Sequence, residues 1–340
     1  MLIFLSLLSS LISAGAESAS SSRSSPAPVV YQPPVTLELE NIAVRASSQL
    51  LITSVVSPTL HTFDPTAING KFDAVHTFPN VTGLTGIVEY RPDVFALLAS
   101  RLNSTTGNMA PGSISAWSVD FNAPTPLVRE IGPLADTPNA NGLTALPTAP
   151  DILLFSDSTL GAVWQLDART GASRIAIQDP SMLPSAAPVV GINAGINGLH
   201  VRLEAQTPYL YFTNTHLATF SRVALEFKRG NVSAAGPIQT LATIPQPPAI
   251  QQQDPDDFAL DERGRAWVTV HPGAITVFSP PAHETTGNWS QTTVLGDVNG
   301  TDAQLFQPTS AAFGRGSLVQ SKTLYVVTAG SQVVAIDTTD

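Results

Sequence analysis

A strand-like apolar run that ends in small polar residues returns along this chain at a nearly fixed interval, and that interval limits the fold more than any other feature. The runs are Leu50-Leu51-Ile52-Thr53-Ser54, Val94-Phe95-Ala96-Leu97-Leu98, Ile152-Leu153-Leu154-Phe155-Ser156, Tyr209-Leu210-Tyr211-Phe212-Thr213, Ala266-Trp267-Val268-Thr269-Val270 and Leu324-Tyr325-Val326-Val327-Thr328. From residue 94 onward they start at 94, 152, 209, 266 and 324, hence 57 or 58 residues apart; the first interval is shorter by about a dozen. Each run is followed by a turn and a second strand, as in Leu60-His61-Thr62-Phe63, Ala162-Val163-Trp164-Gln165-Leu166-Asp167 or Val333-Val334-Ala335-Ile336-Asp337. The alternation of apolar and polar positions has the period of antiparallel strands. No stretch of useful length carries a helical period, and 28 Pro and 23 Gly cut the chain at turn spacings.

A short group of strands repeated at fixed period requires a radial or stacked architecture. Four strands fit in about 57 residues, and six such units fill the chain. The fold class that follows is all-β: a six-bladed β-propeller of four-stranded antiparallel blades. Solenoid repeats are shorter, and β-sandwiches do not keep such a period. The last unit stops at Asp337 after its third strand, so its fourth must come from elsewhere. Val35-Thr36-Leu37-Glu38-Leu39, near the other end, is the expected source. Pairing of the two ends would close the ring and cover a bare sheet edge, in a chain with no cysteine to staple it.

The domain layout expected is a signal peptide over residues 1–16, a flexible Ser- and Pro-rich leader over 17–34 and the propeller over 35–340. The apolar stretch from Leu2 to Ile12 is too short to span a bilayer, and it precedes Ala14-Gly15-Ala16, a small-x-small cleavage pattern. The mature chain is therefore expected in the secretory lumen or outside the cell, without membrane contact once the signal is removed. Asn-x-Ser/Thr sequons at Asn80, Asn103, Asn231, Asn288 and Asn299 agree with that route. Net charge is −10 with no basic run, which makes nucleic acid and anionic membranes poor partners and leaves small molecules as the expected ones. Oligomeric state is left open.

In a propeller the innermost strands all start at one mouth of the central channel. The six starts read Glu40-Asn41-Ile42-Ala43, Thr85-Gly86-Ile87-Val88, Asn141-Gly142-Leu143-Thr144, Asn197-Gly198-Leu199-His200, Asp256-Asp257-Phe258-Ala259 and Pro308-Thr309-Ser310-Ala311. Four of the six open with an Asx or Glu side chain, and these oxygens would meet at the axis, where they suit Ca²⁺, Mg²⁺ or Mn²⁺. Of the neighbours Asp256 and Asp257, one is expected to face the channel and the other to point away. His200, Trp267 and His271, with Asn141, are candidate ligand-binding residues near the mouth. No Gly-x-Ser-x-Gly elbow, His-Glu-x-x-His helix, Walker loop or dinucleotide fingerprint occurs.

Asn141-Gly142-Leu143, Asp157-Ser158 with Gly161-Ala162-Val163-Trp164, Gly195-Ile196-Asn197-Gly198-Leu199 and Asp256-Asp257-Phe258-Ala259-Leu260-Asp261 resemble the SMP-30/gluconolactonase/LRE-like family of six-bladed propellers, over about Glu38 to Asp337. The resemblance implies a divalent metal on Glu40, Asn197 and Asp256 and a ligand contact from Asn141. Glu40-Asn41-Ile42 stands where Glu-Gly-Pro is usual, and Asp257 follows Asp256 where glycine is usual. In wording, Glu40-Asn41-Ile42-Ala43-Val44-Arg45 and Pro308-Thr309-Ser310-Ala311-Ala312-Phe313-Gly314-Arg315 are closer to a fungal branch, similar to enzymes of tropolone–sesquiterpenoid biosynthesis.

That branch implies a hetero-Diels–Alderase, a pericyclase that joins a tropolone quinone methide to a humulene-type alkene and requires no cofactor. Asn141, Asn197, Asp256 and Asp257 are then the candidate catalytic residues. The family at large implies a metal-dependent lactonase with Asp256 or Asp257 as base. A binding propeller without turnover is the third expectation.

Overall fold

The computed structural model describes residues 29–32, 36–67, 70–103, 108–186, 194–246, 253–281, 289–297 and 305–339. The expected signal peptide, most of the leader and the sequons Asn288 and Asn299 lie outside the described residues. Six small antiparallel sheets stand in a ring. Their innermost strands are Leu39–Val44, Gly83–Arg91, Ala140–Leu146, Ile196–Glu204, Asp254–Leu260 and Pro308–Phe313. Each packs beside the next, and the last beside the first, so the six-bladed propeller is the fold of this chain.

The apolar runs are the second strands of the blades. Val94–Ser100 is buried at every residue, because both faces of such a strand meet a neighbouring blade. Alternate residues divide between the two sides. Phe95, Leu97 and Ala99 pack toward the first blade, while Val94, Ala96 and Leu98 pack toward the third. The hydrophobic core is accordingly a ring of six clusters, one at each junction between blades.

The fourth blade departs from the four-strand plan. Its long third strand, Thr219–Lys228, pairs with Gln239–Thr243 near its start and with Asn231–Ala234 near its end.

Ring closure occurs as expected, but by a different segment. Val29–Tyr31, inside the expected leader, pairs antiparallel to Val333–Asp337, with Val29 opposite Val334 and Tyr31 opposite Val333. Leu39 instead begins the innermost strand of the first blade. Between the two, the backbone N–H of Leu37 donates to Ser331 Oγ at 2.7 Å, and that hydroxyl donates back to Leu37 O at 2.9 Å. The Tyr31 ring stacks on Phe72 and packs on Phe63 of the first blade, at 5.1 and 4.9 Å between centroids. One short strand thus fastens the sixth blade by hydrogen bonds and the first by aromatic contact. Removing residues 29–31 is expected to cost about 2–4 kcal/mol. A thermal midpoint unchanged by that deletion would show that the ring closes without it.

Candidate active site at the channel mouth

All six innermost strands carry the same irregularity. Between residues 39 and 42, 84 and 87, 140 and 143, 196 and 199, 255 and 258, and 308 and 311, three steps on the inner strand match two on its partner. Each is a β-bulge, which adds one residue and re-aims the side chains around it. The six bulges carry Glu40-Asn41, Thr85-Gly86, Asn141-Gly142, Asn197-Gly198, Asp256-Asp257 and Thr309-Ser310.

Small hydroxyl residues tie these bulges from blade to blade. Thr85 Oγ1 donates to Ala140 O at 3.1 Å, Ser156 Oγ to Asn197 O at 2.6 Å and Thr213 Oγ1 to Asp256 O at 2.5 Å. Thr269 Oγ1 donates to Thr309 O at 3.0 Å, and Thr309 Oγ1 to Leu39 O at 2.9 Å. Polar residues of three repeated runs, with the bulge residues Thr85 and Thr309, thus satisfy backbone carbonyls at or beside the bulges.

At the second bulge position, glycine in three consecutive blades allows close approach. A Cβ on Gly142 would stand 2.7 Å from Asn197 O, and one on Gly198 2.3 Å from Asp257 Oδ1. The other three blades place Asn41, Asp257 and Ser310 there. Asp257 Oδ2 accepts from Asn41 Nδ2 at 3.1 Å and from Ser310 Oγ at 2.8 Å, and its Oδ1 lies 3.0 Å from His200 Nε2. This buried carboxylate joins side chains of the first, fourth and sixth blades to its own. Its neighbour does not point away, as strict alternation would require. Asp256 is also buried, and its Oδ2 stands 3.3 Å from His271 Nε2, an ion-pair contact whose alignment falls short of a hydrogen bond.

The electrostatics follow from burial and crowding of like charge. Burial raises the Glu40 pKa well above the carboxylate range, and Asp256, Asp257 and Glu38 reinforce it. Burial likewise raises Asp256, opposed by His271 and Asn197 and aided by Asp257. Burial works against charge on His271, yet Asp256, then Asp254 and the Pro308 carbonyl, outweigh it and hold the imidazole above its ordinary value. The contact with Asp256 thus favours the protonated form of His271.

Glu40, Asn197, Asp256, Asp257, His200 and His271 come together at this mouth. Asn141 holds the first bulge position of the third blade, half-buried, with no side-chain hydrogen bond among the described residues. Trp267 does not join them. It lies four residues down its strand from His271, roughly 13 Å at strand rise. There it packs with Ile275 and Phe313 between the fifth and sixth blades, its indole N–H 3.2 Å from Asp261 Oδ2. It is a core residue. Sequence reading gave no role to Asn41, Ser310 or Asp254; the first two were visible as partners of site residues within the six starts.

Among the described residues, no three His, Asp or Glu side chains cluster closely enough to hold a metal ion. A divalent ion would need Asn197 as well, and the chemistry of that set fits. Asn197 Nδ2 donates to Thr215 Oγ1 at 2.9 Å, while its buried Oδ1 has no donor. The Glu40 carboxylate makes no hydrogen bond to the described residues. With Asp256 these are hard oxygen donors of the kind Ca²⁺ and Mg²⁺ take. A separate cavity of about 380 Å³ opens beside the fifth blade, lined by residues such as Ile244, Gln253, Thr276 and Thr292, and holds none of these acid–base groups.

No family model matches the chain, and no curated protein does. Solved structures match it at the level of fold. Regucalcin of Agrobacterium tumefaciens, a calcium-binding protein, is 15% identical, with 91% of this chain and 92% of that one covered and a TM-score of 0.56. A catalytically inactive histidine variant of virginiamycin B lyase from Staphylococcus aureus, bound to quinupristin, is 12% identical, with 90% and 97% covered and a TM-score of 0.54. The Malassezia sympodialis allergen Mala s 1 is 9% identical, with 91% and 95% covered and a TM-score of 0.61.

Proposed function

We propose that this protein is an enzyme that holds a small organic molecule over the polar centre of the channel mouth and acts on it by hydrogen bonding and proton transfer. The observation that carries this reading is His271, half-buried with its Nε2 3.3 Å from Asp256 Oδ2, a contact that raises the affinity of the imidazole for a proton. His200, set on Asp257, supplies a second imidazole facing the same space. A donor and a potential acceptor on neighbouring blades at one mouth are what acid–base chemistry on a carbonyl-type oxygen requires.

The specific reaction proposed is the hetero-Diels–Alder cycloaddition of a tropolone quinone methide with a humulene-type alkene. Such a step forms its bonds in concert and needs no nucleophile. Holding both partners face to face supplies as much as about 7–11 kcal/mol. His271 would donate to the heterodiene oxygen, where negative charge grows in the transition state. Asn141, with an unengaged amide, would position the same partner.

One observation favours a second reading, lactone hydrolysis: the unpartnered Asn197 Oδ1 beside Glu40 and Asp256. Those three residues would hold a divalent ion, which when bound polarises an ester carbonyl and acidifies water. His271 and Asp257 would keep their roles as donor and scaffold. Assaying both reactions with and without chelator separates the two. Cycloadduct formation that survives chelation supports the pericyclase. Hydrolysis lost on chelation, with no adduct in either condition, replaces it by the lactonase.

The setting proposed is the secretory pathway. Asn80, Asn103 and Asn231 are exposed, so a chain expressed in a eukaryotic host is expected to lose mass on deglycosylation. An unchanged mass would count against that setting.

A further inference from the structure

The apolar cluster between the fourth and fifth blades, built on Phe220, Phe258 and Phe278, includes Ile244. Ile244 also lines the cavity of about 380 Å³ beside the fifth blade. Elsewhere that lining turns polar. Gln253 and Thr276, each 6% exposed, complete a buried floor with Ile244. Exposed Gln291, Thr292 and Thr293 of the blade's outermost strand, Ser290–Gly296, form one rim. Among the described residues, no lining side chain is ionisable or aromatic.

The floor is held in place from the opposite rim. Gln246 Nε2 donates to Gln253 O at 2.9 Å, and Gln246 Oε1 accepts from Gln253 N at 2.9 Å. This double clamp fixes the Gln253 backbone at the cavity, yet the Gln253 side-chain amide has no hydrogen bond among the described residues. Thr276 Oγ1 and Thr293 Oγ1 lie 3.3 Å apart, and that one contact leaves further donor and acceptor capacity on the pair.

A buried amide without partners is costly, so a ligand that satisfies it is favoured. An ion would lose its hydration here and meet no opposite charge in the lining. A hydrocarbon would strand the amides and hydroxyls, and a flat aromatic ligand would find no ring to stack on. Hydroxyl groups donate and accept at once, which suits this mixed set. Ile244 and Pro245 add C–H surface for the apolar face of a saturated ring. The volume lies at the small end of the range for small-molecule sites.

We propose that this cavity is a second ligand site and that it binds a small uncharged sugar. The inference does not depend on the reaction at the mouth.

The test is a saturation-transfer NMR titration of the full chain with D-glucose, D-mannose and D-galactose. At least one is expected to bind saturably, with an affinity that added salt leaves unchanged. D-Glucuronate and D-glucosamine, which put a charge on the same kind of ring, are expected to bind no tighter. Methyl glycosides of the three sugars separate two sources: retained binding marks the terminal ring of a glycan, and lost binding a free reducing sugar. Gln253→Met should weaken binding at least about fivefold. Thr292→Arg, which sets a long side chain across the opening from an exposed position, should abolish it, whereas Thr77→Arg, exposed on the outermost strand of the first blade, should not. Because Thr292 is exposed, that variant reports even where Gln253→Met does not fold. No saturable binding of any of the three sugars would overturn the inference. So would binding that Thr292→Arg leaves intact, since the sugar would then sit elsewhere, and so would tighter binding of either charged analogue.

Discussion

Asp257→Ala is expected to destabilise the protein by about 3–5 kcal/mol, the largest effect of any single change at the mouth. A carboxylate only accepts hydrogen bonds, and Asp257 faces three groups able to donate: Asn41 Nδ2, Ser310 Oγ and His200 Nε2. Truncation leaves all three facing one another in a space that water reaches poorly, and it opens a gap where four blades meet. Asp257→Asn should cost less, about 1–3 kcal/mol. Its amide keeps one acceptor, while the Ser310 hydroxyl can rotate and His200 can exchange tautomers. The measurement is chemical denaturation of the three proteins side by side. An alanine variant as stable as the parent would mean that Asp257 does not hold the ring centre. A catalytic base would show the reverse pattern, with stability kept and turnover lost in the asparagine variant.

His271→Asn is expected to lower turnover of the mouth's substrate by about 10²- to 10⁴-fold, the usual worth of a positioned proton donor, with the melting temperature changed little. The pH profile supplies a second readout. Asp256 and Asp254 hold the His271 pKa above the ordinary imidazole value, so its protonated form persists to a higher pH than that of a free imidazole. Activity that depends on that proton should therefore continue above pH ~6.5 and decline only as pH rises through the raised pKa. The alkaline limb should be absent from whatever activity the asparagine variant retains. A variant with full turnover, or an unchanged alkaline limb, would remove His271 from the chemistry.

The blades were legible in the sequence because each second strand is buried on both faces. Val94–Ser100 must be apolar throughout to fill two junctions, and that demand recurs in every unit. The closing strand was misplaced for a reason of length. Val29–Tyr31 has only three residues, too few to display a period, and lies among prolines, which edge strands tolerate. Val35–Leu39 looked better as a strand, yet Leu39 was already committed to the innermost position of the first blade.

The site was half legible. Register with the repeat brought Glu40, Asn197 and Asp256 toward one end, since each holds the first position of a bulge. The alternation rule then failed at Asp256-Asp257, because a bulge suspends it. Six polar or glycine pairs in equivalent places were the available sign. Trp267 was misread by residue type. Counting strand positions from His271 would have placed it deep between blades, away from the mouth.

The closing strand also bears on how the molecule assembles. Val29 and its partner Val334 are 305 residues apart in the chain, a contact between the first described strand and the last. The seal therefore cannot form before the sixth blade has been made. Until the seal forms, Val333–Asp337 presents an unmatched backbone edge, open to a strand from another copy. Sealing speed, more than the stability of any one blade, then decides between a monomeric ring and aggregation during synthesis.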